Sequence, residues 1–130
     1  MAAKKSAPPS LCEQGGPEIQ VMGIRVKTTD VVDFSAWICN TAARVRAVVT
    51  DDAGTDQVLV DQTGLSKAAA TLPRLSPGAY TLTWSFIGVS GPWQTRIEVA
   101  VNDTVRYRHR KDADSNDPFL RGFLFLDVVA

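Results

Sequence analysis

The segment AYTLTWSFIG, residues 79–88, constrains the fold of this chain more than any other stretch. Large apolar side chains alternate strictly with small hydroxyl side chains along it. The apolar residues are Tyr80, Leu82, Trp84 and Phe86, and the hydroxyl residues are Thr81, Thr83 and Ser85. A period of two places successive side chains on opposite faces of a β-strand. The pattern therefore predicts a strand with one face in a hydrophobic core.

Short apolar runs separated by turn residues make up most of the remaining chain. They cover residues 18–29, 31–39, 44–50, 57–61, 97–111 and 122–129. No stretch keeps the period of a helix. About seven to eight short strands with regular turn signals are typical of a β-sandwich. We therefore predict an all-β fold, a single antiparallel β-sandwich.

The chain of 130 residues has the size of one domain. Residues 1–17 are small, polar and rich in Pro and Gly, which predicts a flexible N-terminal arm. Residues 18–130 are the predicted sandwich domain. A slip of the alternation at Met22 and Gly23 predicts a bulge in its first strand.

Neither an apolar signal segment nor a run long enough to cross a membrane is present in the sequence. Cys12 and Cys39 have neither CxxC nor zinc-site spacing. We therefore expect two reduced thiols in a cytoplasmic protein without membrane contact, with Cys39 buried. The alternative, a Cys12–Cys39 disulfide, would need an oxidising compartment, of which the sequence gives no other sign.

The charge balance limits the classes of partner. Fourteen basic residues cancel fourteen acidic residues. Nucleic-acid binders normally carry a basic excess, so we expect no nucleic-acid partner. A net charge near zero leaves little repulsion between copies, and self-association is not opposed.

The turn and strand LSPGAYTLTW, residues 75–84, resemble a corner found in immunoglobulin-like and fibronectin-type-III-like domains. In those domains a tyrosine follows a Pro/Gly turn at the start of a central strand. Leu75 stands one position closer to the tyrosine than in the fibronectin pattern, and the Cys…Trp…Cys spacing of immunoglobulin domains is absent. The resemblance implies a sandwich and no particular function.

Residues 97–111 predict a β-hairpin. A two-residue loop would place arginines beside apolar side chains, whereas a three-residue loop over 101–103 keeps apolar residues together. The longer loop also gives Asp103 the left-handed conformation that Asp tolerates. The expected pairs are Val99 with Val105, Ile97 with Tyr107, Glu98 with Arg106 and Arg96 with Arg108.

Arginines occupy one face of this predicted hairpin. They are Arg96, Arg106, Arg108 and Arg110. The simpler interpretation is a solvated face whose charges discourage unwanted strand pairing. The second is an interface with a protein partner or an anionic group.

The segment GFLFLDVV, residues 122–129, is apolar on both faces. Such a strand is usually central in its sheet, or its second face is covered by a partner. Phe123 and Phe125 are therefore candidate interface residues. The leading functional hypothesis is a non-catalytic interaction or assembly module, a homo-oligomer that associates through this strand and the N-terminal arm.

The alternative hypothesis is a lectin-like carbohydrate binder. Trp93 follows a Gly-Pro turn, where an aromatic ring can stack on a sugar. Asp112, Asp114 and Asn116 have the spacing with which a calcium loop directs oxygen atoms inward. Asp117 stands where that loop requires Gly, and no distal glutamate follows. Calcium is accordingly an optional ligand of this alternative, and we expect no other cofactor.

Catalytic motifs are absent from the sequence. His109 is the one histidine, and no serine or cysteine lies near it in sequence. Four aspartates surround one predicted turn, which turn chemistry explains. They are Asp51, Asp52, Asp56 and Asp61. We expect no enzymatic activity and no catalytic residue.

Overall fold

The computed structural model describes residues 16–39, 44–63, 67–87, 93–113 and 119–130. Nine β-strands and no helix lie in these ranges. None of the described residues belongs to a helix that could cross a membrane. The strands are β1 (Gly23–Lys27), β2 (Val32–Cys39), β3 (Arg44–Asp51), β4 (Asp56–Thr63), β5 (Lys67–Thr71), β6 (Gly78–Ile87), β7 (Trp93–Val101), β8 (Thr104–Ala113) and β9 (Phe119–Val129).

The strands form two packed sheets, which confirms the predicted all-β sandwich. One sheet has five strands in the order β1-β9-β6-β3-β4, and the other has four in the order β5-β2-β7-β8. All neighbours run antiparallel except β1 and β9, which are parallel. Strand β5, with the sequence KAAAT, was not predicted because it lacks large apolar side chains.

The core lies between the two sheets. Leu82, Trp84 and Phe86 of β6 are buried there, as the alternation predicts. The Trp84 ring lies 6.1 Å from that of Phe34 on β2 and 5.5 Å from that of Tyr107 on β8. These three aromatic side chains join strands of both sheets at the centre of the domain.

The predicted tyrosine corner is present in its local geometry. The Tyr80 hydroxyl donates a hydrogen bond to the Ser76 carbonyl oxygen over 2.8 Å. The strand order differs from that of immunoglobulin domains, where the strand after the corner pairs directly with the next strand. Here the β7–β8 hairpin, which belongs to the other sheet, intervenes before β9 pairs with β6.

The β7–β8 hairpin has a different register from the predicted one. Its loop contains only Asn102 and Asp103, both with positive φ, at 49° and 67°. Two consecutive loop residues with positive φ form a tight turn whose twist matches that of the paired strands. A register shift then places two residues, 105 and 106, against Ala100, and Tyr107 pairs with Val99. This bulge removes the conflict that argued for a longer loop.

The first described residues contact both sheets. Ile19 forms a bridge with Arg108 at the free edge of β8, through two backbone hydrogen bonds of 3.0 and 3.2 Å. The Met22 carbonyl oxygen then accepts from the Phe125 amide, and β1 continues along β9. The slip at Met22 and Gly23 is therefore a crossing between sheets, and the predicted bulge is wrong.

Candidate functional site

A cluster of charged side chains lies on the outer face of the four-stranded sheet. We define the arginine cluster as Trp37, Arg96, Glu98, Arg108 and Arg110. The β-sheet register places Arg96 between Trp37 and Arg110, and Glu98 beside Arg108. The predicted pairs of Glu98 with Arg106 and of Arg96 with Arg108 are wrong because the bulge moves the register.

The arginine cluster is largely withdrawn from solvent. Arg96 is 6% exposed, and its guanidinium carbon lies 3.8 Å from the centroid of the Trp37 ring. Arg108 and Glu98 expose 12% and 15% of their side chains. Burial is the main cause that lowers the pKa of Arg96. The interpretation of a solvated face is therefore wrong for Arg96 and Arg108, while Arg106 at the bulge is exposed.

Glu98 connects the two buried arginines. Its Oε2 atom lies 2.7 Å from Nε of Arg108 and 3.6 Å from Nε of Arg96. A carboxylate shared by two guanidinium groups offsets the repulsion between them. We interpret this arrangement as structural, because a partner could reach Arg96 only by displacing its neighbours.

The segment Gly16–Gln20 is held against the edge of β8 by residues of this cluster. Arg108 donates through Nη1 to the Pro17 carbonyl oxygen over 3.0 Å, and the Arg110 amide donates to Glu18 Oε1 over 3.0 Å. The same Glu18 oxygen lies 3.4 Å from Nδ1 of His109. The described part of the predicted arm is thus bound to its own chain.

Docking of this segment is expected to weaken in acid. The Arg110 backbone hydrogen bond is the largest cause that lowers the pKa of Glu18 below its ordinary 4.5. Because the folded-state pKa is depressed, the stabilisation is present above 4.5 and is lost as the pH falls through the folded-state value. Hydrogen exchange at the Ile19 amide, corrected for intrinsic rates, should then accelerate roughly twofold to fivefold.

The variant Glu18→Gln is the control, because its side chain does not titrate. It should show the weakened docking at neutral pH and no acid-dependent change at Ile19. An acid response of the same size in this variant would contradict the assignment to Glu18.

Two phenylalanines stand on the outer face of the five-stranded sheet. Phe123 and Phe125 are 50% and 47% exposed, and their rings lie 5.2 Å apart. Their strand β9 is internal, between β1 and β6, as predicted from its two apolar faces. The register continues this face through Thr83, which is half-buried, and Val48, which is 5% exposed, to Val58 on β4, which is 50% exposed. We call these five residues the apolar stripe.

Charged residues lie on both sides of the apolar stripe. Arg25 and Asp127 form an ion pair of 3.1 Å on one side. On the other side Asp61 lies 2.7 Å from Arg44 and 3.7 Å from Arg46. An open groove of about 600 Å³ lies beside Phe125 at the Arg25 side. An apolar centre with a charged border has the composition of a protein interface.

Most residues of the predicted carbohydrate or calcium site lie outside the described residues. This applies to Asp114, Asn116 and Asp117, and to the side chains of Trp93 and Asp112. The backbones of Trp93 and Asp112 belong to neighbouring strands, with Trp93 opposite Ala113. Within the described ranges, no group of three His, Cys, Asp or Glu side chains could hold a metal ion.

His109 interacts with Tyr107 and Glu18. Its ring is 6.5 Å from that of Tyr107, and its Nδ1 atom lies 3.4 Å from the Glu18 carboxylate. The expectation that the protein is not an enzyme stays a prediction.

Cys39 is disulfide-bonded. The expectation of a buried, reduced thiol is therefore wrong, and the residue is only half-buried. The one other cysteine of the sequence, Cys12, lies outside the described residues. The cytoplasmic location expected from the sequence stays a prediction.

No protein-family model matches the chain. No curated protein matches it in sequence either.

Proposed function

We propose that this protein is a non-catalytic assembly module that self-associates through the outer face of its five-stranded sheet. The observation that carries the proposal is the apolar stripe around Phe123 and Phe125. Large exposed aromatic side chains are a common core of protein interfaces. The adjacent exposed rings of Phe123 and Phe125 form an apolar surface that association would remove from water.

A second copy of the chain is the occupant that the charges favour. Each side of the apolar stripe carries both signs, through Arg25 and Asp127 on one side and Arg46 and Asp61 on the other. In a two-fold symmetric dimer, each charged side of the stripe faces either the same side or the other side of the second copy. In both cases an acid of one copy can lie opposite an arginine of the other. The zero net charge leaves little long-range repulsion.

The described segment Gly16–Gln20 is bound to β8 of its own chain. The phenylalanine face is therefore the proposed contact between copies. A role of residues 1–15 in association stays a prediction. The carbohydrate-binding alternative remains a prediction for residues beyond the described ranges.

The test is the molar mass in solution of wild type and of Phe123→Asp. We expect light scattering behind a sizing column to give a mass above the 14.1 kDa of one chain, rising with concentration. Burial of one phenylalanine contributes about 1.5–3 kcal/mol, so the aspartate should weaken association at least about tenfold. A wild type that stays at one chain mass at every concentration would overturn the proposal.

The matched control is Val31→Asp. Val31 is 52% exposed and lies outside the apolar stripe, between β1 and β2. The charge added is the same, so this variant should associate as the wild type does. If both substitutions weakened association equally, the cause would be the added charge itself and not the loss of a contact at the apolar stripe.

A further inference from the structure

A cavity of about 260 Å³ opens between the two sheets at the edge formed by β8 and β9. Its floor is aromatic, with Trp84 from β6 and Tyr107 from β8. The Thr95 hydroxyl belongs to a buried residue in the wall. Four strands from both sheets contribute to this enclosure, so the same contacts that hold the core together also fix its shape.

The mouth of the cavity is basic. His109 and Lys111 from β8 and Arg121 from β9 line it, and no described aspartate or glutamate does. Lys111 is exposed and forms no ion pair with any described carboxylate. At one side of the mouth the Glu18 carboxylate lies 3.4 Å from Nδ1 of His109.

Gly122 makes room for the indole of Trp84 at one wall of the cavity. A Cβ atom at this position would lie 2.6 Å from Nε1 of Trp84. The absence of a side chain therefore lets the indole approach the β9 backbone closely. Burial raises the pKa of Tyr107 above its ordinary value of 10.0, so the phenol, already neutral at neutral pH, stays a hydrogen-bond donor into the alkaline range.

We infer that this cavity binds a small aromatic carboxylate, with its ring against the accessible parts of Trp84 and Tyr107 and its anionic group at Lys111. Trp84 and Tyr107 are only 4% and 8% exposed, so they supply apolar contact at the inner end of the cavity, which orients a ring. The ammonium at the mouth supplies the charge that distinguishes an acid from a neutral analogue. The site is separate from the proposed association through the apolar stripe, although Phe123 borders both.

The experiment is a titration of the ¹⁵N-labelled full chain with 2-naphthoate, followed by NMR at the tryptophan indole N–H groups. The Trp84 resonance, assigned with Trp84→Phe, should shift saturably, while that of Trp37 on the opposite face stays unchanged. We expect 2-naphthoate to bind roughly three- to tenfold tighter than the neutral 2-naphthamide. Equal affinities, or no saturable shift at Trp84, would overturn the inference.

Substitutions at the mouth of the cavity test whether Lys111 is the side chain that binds the carboxylate. Lys111→Gln should reduce the affinity for 2-naphthoate to that for 2-naphthamide, and Lys111→Glu should reduce it further. The control Lys27→Gln removes an exposed lysine on β1, far from the cavity, and should keep the full preference. A preference that survives Lys111→Glu would contradict the role of Lys111. The molar mass is monitored throughout, so a change in association cannot be mistaken for ligand binding.

Discussion

Glu98→Gln is expected to lower the free energy of unfolding by about 2–3 kcal/mol. The amide keeps the shape of the side chain but removes the one negative charge placed between Arg96 and Arg108. Both arginines are largely buried, so solvent screens their repulsion poorly. Urea denaturation followed by the tryptophan fluorescence measures the loss.

Asp61 provides a matched comparison on the other sheet. It also lies between two arginines, Arg44 and Arg46, but all three side chains are at least one-third exposed. Asp61→Asn should therefore cost less than about 1 kcal/mol. Equal losses for Glu98→Gln and Asp61→Asn would contradict the claim that burial makes the arginine cluster important.

Gly122→Ala is the second substitution with a large expected effect. The new Cβ would lie 2.6–2.8 Å from three atoms of the Trp84 indole. That indole is packed against Phe34 and Tyr107 and cannot move aside freely. Overpacking of this kind typically costs about 1–3 kcal/mol, and the loss of glycine flexibility offsets only part of it.

The double variant Gly122→Ala/Trp84→Phe tests this explanation. The single ring of phenylalanine is smaller than the indole and lacks its nitrogen. More space is then left for the alanine methyl group at position 122. The double variant should be more stable than the sum of the two single losses predicts, by at least about 1 kcal/mol. Additive losses in thermal or urea unfolding would show that the Gly122–Trp84 contact is not the cause.

The sequence predicts the elements with strong alternation well. The face of β6 is confirmed, because an alternation of large and small side chains has one favourable orientation against a core. The turn predicted among the four aspartates is confirmed too: it joins β3 to β4, and the Asp51 side chain accepts hydrogen bonds from the Ala53 and Thr55 amides. Strand β5 carries no such signal.

The register of β7 and β8 could not be predicted from side-chain pattern alone. Arginines opposite apolar residues argued against the two-residue loop, and that argument assumed an unbroken alternation. The positive φ values at Asn102 and Asp103 give the short loop its favourable geometry, and the extra residue at Arg106 restores the apolar pairs. The alternating arginines of β8 contain no sequence feature that predicts the bulge.

The candidate surfaces differ in how much of each could be predicted from the sequence. Phe123 and Phe125 could be predicted because their own strand is apolar on both faces. The burial of Arg96 depends on Trp37, which is distant in sequence, and alternation does not reveal that contact. The cavity beside Trp84 is lined by residues of four strands, so only the folded chain displays it.

The parallel pairing of β1 with β9 has a consequence for the order of folding. Gly23 aligns with Phe125 and Lys27 with Val129, so residues about one hundred positions apart must meet. Closing so long a loop is slow, and domains rich in such contacts fold in about milliseconds to seconds. During synthesis the five-stranded sheet stays incomplete until residues 119–129 have emerged, because β9 separates β1 from β6. Until then β6 exposes an unpaired edge, and this interval is when the nascent chain is most vulnerable to aggregation.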